Sequence, residues 1–205
     1  NIMSELILYT NAMSRGNTAE LFLKMLDVPY QRVELEYGEP MRTPEYLAIN
    51  PMAKVPALVD GEVVVTETAA ICAYLADKFI EKGFAPALNS PERAAYYRWF
   101  FFTAGPIEAA FTVKELDIDL NEEQQKSSGF GSFERAFHCL EAGLASAKPY
   151  LCGKNMMAVD VYVGYFLIFL CKYAFIQPTP LINQYIDSLA LNKEIKQLLE
   201  SLELR

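Results

Sequence analysis

The chain has 205 residues, of which 52% are hydrophobic and 13% aromatic, so it can bury the core of one large or two small domains. This composition excludes an intrinsically disordered chain. The formal net charge of -8 argues against a nucleic-acid-binding protein, because phosphate recognition needs clustered Lys and Arg, and the sequence has no such cluster.

The first part of the chain alternates strand and helix patterns. The opening residues, NIMSEL, lack the basic and long apolar stretches of a signal peptide, so none is predicted. Residues 6–9 form a short apolar run that predicts a buried strand, and residues 10–16 are polar and turn-like. A helix follows with Ala19, Phe22, Leu23 and Leu26 on one face. Pro29 ends it, residues 30–36 alternate like a second strand, and this order implies a right-handed parallel crossover.

A hairpin and a helix complete the first half. The polar, proline-containing residues 38–51 are predicted to be a loop. Residues 56–59 and 62–65 then flank Asp60-Gly61, which predicts a β-hairpin. Thr66-Glu67-Thr68 opens a helix whose apolar face carries Ile71, Tyr74, Leu75 and Phe79. Residues 1–80 are therefore predicted to be one βαβ-ββα domain.

Strand patterns stop after this hairpin. We assign residues 81–90 to a linker and residues 91–205 to an all-helical domain that starts with Ser90 as the N-cap and Pro91 in the first turn. Polar, glycine-bearing residues 121–131 are predicted to be a loop between helices. The apolar run 161–171 is far shorter than the roughly 20 residues that span a bilayer, so we predict a helix buried in protein and no membrane partner.

The cysteines and the histidine indicate neither disulfides nor a metal. The chain has four cysteines, Cys72, Cys139, Cys152 and Cys171. They show no C-x-x-C pairing and no metal-ligand spacing to His138, the only histidine. We therefore predict reduced thiols, no metal site and a cytoplasmic location.

Ser14 is the first candidate for chemistry. It lies between the first strand and the first helix, where unsatisfied backbone N–H groups and the positive end of the helix dipole favour an anion. The alternative is that Ser14 only caps the helix, as serine commonly does. Position alone does not decide between the two.

Two further segments have a structural and a functional interpretation. A cis bond at Val55-Pro56 would leave the N–H and C=O of Val55 available to pair with a peptide-like ligand as a strand does. The alternative is an ordinary turn proline. Glu67-Thr68 equally fits a ligand contact or a favourable acidic first turn of a helix.

In combination, these segments resemble the glutathione S-transferase family. The resemblance is carried by YTNAMSRGNTAELFLKML, by PEYLAINPMAKVPALVDGEVVVTETAAICAYLADKF, by YYRWFFFTAGPIEAA and by GKNMMAVDVYVG. It is closest to bacterial members with a serine at the Ser14 position. It implies a thioredoxin-like domain that binds glutathione, followed by a helical domain that supplies most of the pocket for a hydrophobic electrophile.

The resemblance also implies roles for individual residues. Ser14 matches the serine that donates to the glutathione sulfur, Val55 the residue that pairs with the cysteinyl backbone, and Pro56 the cis-proline after it. Glu67 and Thr68 match the residues that hold the γ-glutamyl end. Two positively charged residues complete the set: Lys54, which faces the glycyl carboxylate, and Arg15, which either adds positive potential or is a solvated surface side chain.

Some assignments stay open. Tyr9 is the competing thiol activator, and its alternative is packing within the sheet. Tyr97, Phe101 and Glu108 share one helical stripe and are our candidates for the electrophile pocket, although most aromatic residues in a helical bundle belong to its core. Met157 stands where the family has the Ser or Thr of a reciprocal cap with Asp160, which predicts a loss of about 1 kcal/mol.

The expected chemistry is thiol activation without a metal or other cofactor. A thiol with a pKa near 8.5 is only a few per cent ionised at pH 7, and lowering that pKa by about two units corresponds to roughly 2.7 kcal/mol. A hydrogen bond to the thiolate supplies about 1.5–3 kcal/mol and a helix N-terminus about 0.3–1 kcal/mol. The resemblance implies a homodimeric, detoxifying transferase. The alternatives are a non-catalytic binding protein and a glutathione-dependent reductase or isomerase, the reductase being disfavoured because no cysteine adjoins Ser14.

Overall fold

The computed structural model describes residues 5–204. The NIMSEL expectation rests in part on residues 1–4, which lie outside that range. The chain divides into two compact units, one ending at Gly83 and the other beginning at Phe84.

The first unit has the predicted βαβ-ββα order. Its elements are β1 (Leu6–Thr10), α1 (Gly16–Leu26), β2 (Gln31–Glu34), α2 (Pro44–Leu47), β3 (Ala57–Asp60), β4 (Val63–Thr66) and α3 (Thr68–Lys78). The strands form one sheet in the order β2-β1-β3-β4, with β1 parallel to β2 and antiparallel to β3. The apolar stripes predicted for α1 and α3 are buried, including Phe22, Leu26, Ile71 and Leu75. This confirms the fold class of the first half.

Two local predictions in this unit need correction. The hairpin loop between β3 and β4 is Gly61-Glu62, one residue later than predicted, because Asp60 still pairs with Val63. Gly61 has a φ of 60°, a conformation that glycine adopts without steric cost. Residues 38–51 are not all loop: they contain a 3-10 helix, Glu39–Arg42, and the short α2, whose first turn is capped by the Thr43 hydroxyl.

The second unit is helical, as predicted. Its elements are α4 (Pro91–Phe102), a π-helical turn (Thr103–Ile107), α5 (Glu108–Glu115), α6 (Glu122–Ser127), α7 (Phe133–Ser146), α8 (Ala158–Lys172), α9 (Pro180–Leu189) and α10 (Lys193–Ser201). Pro106 lies inside the π-helical turn and has no N–H to donate, which disturbs the regular helical hydrogen bonding at this point. The apolar run 161–171 lies in α8, where most side chains are buried.

Two expectations about helix ends in this unit also change. The region 121–131 contains α6, which begins with a reciprocal cap between Asn121 and Gln124. We predicted a loop there because the segment is polar and lacks an apolar stripe. Ser90 holds the N-cap position of α4, but its hydroxyl donates to the carbonyl of Ala87 and makes no cap bond.

The start of α8 has one of the two hydrogen bonds of the expected reciprocal cap. Met157 supplies no side-chain oxygen, yet Oδ2 of Asp160 accepts from the Met157 N–H at 2.9 Å. Oδ1 of Asp160 accepts from the Leu151 N–H at 2.9 Å and from the Tyr185 hydroxyl at 2.6 Å. The predicted loss therefore applies to one bond only, and Asp160 has become the centre of a buried polar cluster that joins α8, α9 and the segment before α8.

Gly143 on α7 allows close packing against Trp99 on α4. A Cβ at position 143 would lie 2.3 Å from two Trp99 ring carbons. We expect Gly143→Ala to destabilise the protein by about 1–2 kcal/mol, because overpacking outweighs the better helix propensity of alanine. Gly105→Ala is the matched control, since a Cβ there meets nothing within 4 Å. Chemical denaturation of both variants checks this, and equal stabilities would contradict it.

The structure also describes the cysteines, the arrangement of acidic, Cys and His side chains, and the lengths of the helices. All four cysteines carry free thiols. Within residues 5–204, no cluster of three or more His, Cys, Asp or Glu side chains has the arrangement of a metal site. Over the same residues, the helices are too short or too polar to cross a membrane.

Candidate active site

The register of the sheet brings three predicted site segments to one edge. Tyr9, near the end of β1, pairs with Ala57 at the start of β3, and Ala57 pairs with Thr66 at the end of β4. The residues that follow β1, precede β3 and follow β4 therefore emerge at the same edge of the sheet. These are the segments that contain Ser14, Val55-Pro56 and Glu67-Thr68. In the sequence, only the family resemblance indicated that these three segments lie close together.

Ser14 is half-buried in the loop between β1 and α1. Its hydroxyl donates to the carbonyl oxygen of Asn11 at 2.7 Å. The hydroxyl oxygen of Ser14 in turn accepts from the Gly16 N–H at 3.0 Å and from the Asn11 N–H at 3.3 Å. Ser14 therefore does contribute a helix-start hydrogen bond, which was the structural alternative, and its hydroxyl proton already has a partner.

The first turn of α1 differs from the expectation of open N–H groups. The N–H of Gly16 is bound by the Ser14 hydroxyl, that of Asn17 by the Ser14 carbonyl at 3.3 Å, and that of Thr18 by the Arg15 carbonyl at 3.1 Å. These groups satisfy one another within the loop. What remains for an anion is the dipole of the helix and a hydroxyl whose proton can rotate about its C–O bond.

The segment before β3 has an open backbone. The Val55-Pro56 bond is cis. The Val55 side chain packs against the small cluster of Met41, Tyr46 and Ala57. Across residues 5–204, neither the N–H nor the C=O of Val55 takes part in a hydrogen bond. An extended peptide could thus pair with this residue without displacing a native bond.

Glu67 and Thr68 begin α3. Glu67 is exposed and has a φ of 71° and a ψ of 121°, a conformation that non-glycine residues seldom adopt. Such outliers concentrate at functional sites, where surrounding structure holds them. Thr68 is half-buried in the first turn, where the helix dipole favours a bound carboxylate.

The remaining first-unit candidates lie around these segments. Tyr9 is half-buried, and its ring centroid lies 5.6 Å from that of Tyr46, as expected for a residue packed on the sheet. Lys54 is exposed, and its carbonyl accepts from Tyr46 and Asn50. Arg15 is half-buried at the N-cap position of α1.

The second unit holds the candidates for the electrophile pocket. Tyr97 and Phe101 are exposed on α4, and Phe101 is 75% accessible. Glu108 accepts a hydrogen bond from the Tyr162 hydroxyl at 2.8 Å. A cavity of about 310 Å³ lies elsewhere in this unit, between α5, α6 and α7, and none of the three candidates lines it. It is lined by residues that we did not select from the sequence, among them Val113, Lys114, Phe130 and Phe133.

Sequence reasoning also missed two buried asparagines. Asn11 accepts from the Met13 N–H at 2.8 Å and donates to the Leu35 carbonyl at 2.8 Å. Asn50 makes the same pair of bonds in the other loop, accepting from Met52 at 3.0 Å and donating to Lys54 at 2.9 Å. The available signal was an asparagine in a turn, which bonds the N–H two residues later.

Comparison with known proteins identifies the family. The family description "Glutathione S-transferase, N-terminal domain" matches residues 4–77. The chain is similar to glutathione S-transferase F10 of Arabidopsis thaliana, with 38% identity over 163 residues that cover 73% of each chain. It is also similar to glutathione S-transferase 1 of Dianthus caryophyllus, with 30% identity over 147 residues that cover 70% of this chain but only 66% of the carnation protein.

Two further similarities concern activity and structure. The disulfide-bond oxidoreductase YfcG of Escherichia coli is 27% identical over 171 residues, which cover 75% of each chain. A Sulfitobacter glutathione transferase homologue with bound glutathione has the same fold, with a TM-score of 0.70, 20% identity, and coverage of 97% of this chain and 99% of that one. The chain described here belongs to the glutathione S-transferase family.

Proposed function

We propose that the protein is a glutathione transferase that holds glutathione at the edge of the sheet where the three site segments meet. The observation that carries the proposal is this convergence, together with the unpaired backbone of Val55. A tripeptide is a suitable occupant because its central residue can form strand-like bonds there, while its two charged ends need partners on either side.

The residue roles follow from the chemistry of the tripeptide. Val55 pairs with the cysteinyl backbone, and Pro56 shapes the segment. Glu67 meets the γ-glutamyl ammonium, and Thr68 meets the adjacent carboxylate at the start of α3. The positively charged Lys54 attracts the glycyl carboxylate, and Arg15 adds positive potential near the sulfur.

Ser14 activates the thiol. On binding, its hydroxyl proton rotates from the Asn11 carbonyl to the sulfur, while its oxygen keeps the Gly16 N–H. A hydrogen bond to a charged group contributes about 1.5–3 kcal/mol and the neutral bond that it replaces about 0.5–1.5 kcal/mol. The net gain of about 1–1.5 kcal/mol lowers the thiol pKa by about one unit, and the α1 dipole adds to it.

The thiolate then attacks a hydrophobic electrophile, with Tyr97, Phe101 and Glu108 as our candidates for its contacts. Glutathione is a co-substrate, and the proposal includes no other cofactor. A detoxifying role, a cytoplasmic location and a homodimer are further parts of it. Exposed apolar side chains on both units, such as Val63, Val64 and Leu88, suit burial by a second copy.

The test combines binding and turnover. We expect the purified protein to bind glutathione in calorimetry and to conjugate it to a reactive aryl halide. Binding without turnover of any electrophile in a panel would favour the non-catalytic alternative. No binding at all would contradict both.

The similarity to YfcG favours a second candidate, a glutathione-dependent disulfide reductase. Such an enzyme would use the same bound thiolate. Cys72 is the only cysteine of the first unit, and complete burial raises the pKa of its thiol to about 12, so it is no substitute nucleophile. Turnover of a small mixed disulfide faster than of aryl halides would select this candidate.

Glu67→Gln tests the γ-glutamyl contact. We expect the KM for glutathione to rise about two- to fivefold with kcat nearly unchanged, because an exposed ion pair contributes up to about 1 kcal/mol and 0.4–1 kcal/mol corresponds to about that factor. Steady-state kinetics at varied glutathione concentration measure this. Glu62→Gln, an exposed carboxylate in the hairpin loop, is the control. A lower kcat with unchanged KM would contradict the assignment.

A further inference from the structure

Asn11 connects the end of β2 to the loop that carries Ser14. It is only 8% exposed. Its side-chain nitrogen donates to the Leu35 carbonyl at 2.8 Å, which ties the loop to the chain just after β2. Its side-chain oxygen accepts from the Met13 N–H at 2.8 Å, which fixes the turn that leads into Ser14.

The main chain of Asn11 holds Ser14 directly. Its carbonyl accepts from both the N–H and the hydroxyl of Ser14, at 2.9 and 2.7 Å. Its N–H donates to the Ser14 hydroxyl oxygen at 3.3 Å. The position of the serine hydroxyl is therefore set by where the Asn11 backbone lies, and that backbone is held by the Asn11 side chain.

Other contacts of the loop are more exposed. The Ala12 N–H donates to the Glu34 carboxylate at 3.0 Å, and the Asn17 side chain donates to the Ala12 carbonyl at 2.8 Å. Both bonds are at the surface, where water can replace either partner. Both side-chain bonds of Asn11 are part-buried, where water replaces a lost partner less readily, so Asn11 has the larger influence on the loop.

We propose that Asn11 is a positioning residue for thiol activation, acting through Ser14 by fixing the loop between β1 and α1. This inference rests on the proposed role of Ser14. It differs from that role because we assign Asn11 no contact with glutathione or the electrophile.

Asn11→Ala tests the inference through kinetics and pH dependence. We expect kcat at pH 6.5 to fall about fivefold and the pH profile of the bound thiol to move up by about 0.7 pH unit, which is the same factor expressed as a pKa change. The KM for glutathione should stay within twofold, since the Val55 and Glu67 segments are untouched. A general loss of structure would instead raise KM and leave the pH profile in place.

A double-mutant cycle with Ser14→Ala decides whether Asn11 acts through Ser14. We expect Asn11→Ala to have no further effect on the pH profile in the Ser14→Ala protein. The same fold-change in both backgrounds would overturn the inference, as would a wild-type profile for Asn11→Ala. If Ser14→Ala alone leaves the profile unchanged while glutathione still binds, the proposed role of Ser14 fails first and the inference with it.

Two further variants distinguish a specific role of Asn11 from a general loss of structure. Asn11→Ser keeps a short acceptor for the Met13 N–H but has no amide to reach Leu35, so its effect should be intermediate. Asn50→Ala removes the same pair of bonds from the loop before Val55, and we expect it to raise the KM for glutathione without moving the pH profile. A shifted profile in Asn50→Ala equal to that of Asn11→Ala would overturn the specific role.

Discussion

Ser14→Ala is expected to reduce kcat at saturating glutathione about tenfold below pH 7 and to raise the pKa of the bound thiol by about one unit. The size follows from the proposed exchange of hydrogen bonds, in which the hydroxyl leaves the Asn11 carbonyl to reach the sulfur. A charged bond replaces a neutral one, so the net change is about 1–1.5 kcal/mol. The loss should diminish at high pH, where the thiol ionises without help. Thiolate absorbance of the bound tripeptide, measured against pH, gives the pKa directly.

Ser132→Ala is the matched control for this experiment. Its hydroxyl accepts from the Arg135 N–H at the start of α7, so the variant loses a helix-start bond like that between Ser14 and Gly16. Both variants should lose about 1 kcal/mol of stability, and only Ser14→Ala should shift the thiol pKa. An unchanged pKa in Ser14→Ala together with a raised pKa in Tyr9→Phe would transfer the role to Tyr9.

Asp160→Ala is expected to lower the free energy of unfolding by about 3 kcal/mol or more. The substitution leaves the buried Tyr185 hydroxyl and the part-buried N–H groups of Leu151 and Met157 without an acceptor, each at a cost of about 1 kcal/mol. For a chain of this size, that corresponds to a fall in Tm of about 6–12 °C. Calorimetry measures it. Asp119→Ala, an exposed residue, should change Tm by less than about 2 °C.

The pKa of the Asp160 carboxyl also predicts how the stability of the protein depends on pH. Burial raises the pKa of this carboxyl to about 6, against the lowering effect of its three hydrogen bonds. The folded protein therefore binds more protons than the unfolded chain, whose carboxyl has a pKa near 3.9. The contribution of this group is fully present below about pH 4 and is lost as the pH rises towards about 6, with a total of roughly 3 kcal/mol.

Asp160→Asn isolates this effect because asparagine does not titrate. We expect the stability of the wild-type protein relative to Asp160→Asn to fall between about pH 4 and pH 6 and to be constant above about pH 7. Urea denaturation of both proteins across that range measures the difference. A difference that rises with pH would show that the hydrogen bonds dominate and that the carboxyl is ionised throughout.

Short-range patterns predicted much of the fold. The buried stripes of α1 and α3 and the helical second unit followed from the spacing of apolar residues. Apolar patterns predicted local structure less well where hydrogen bonds determine it. The polar α6 depends on a cap between Asn121 and Gln124, and the hairpin loop moved by one residue because strand pairing extends to Asp60 and Val63.

For the site, the sequence by itself predicted the residue types and, through the family resemblance, the roles that we propose for them. Only the tertiary structure decided where the hydroxyl proton of Ser14 lies, because its partner is a backbone carbonyl and every residue has one. It also showed that Asp160, expected to be part of a weakened helix cap, is the centre of a buried polar cluster. The sequence did not indicate this because its partner Tyr185 lies 25 residues further along the chain. Sequence periodicity reports which faces are buried, whereas partners of polar groups depend on distances that only the folded chain sets.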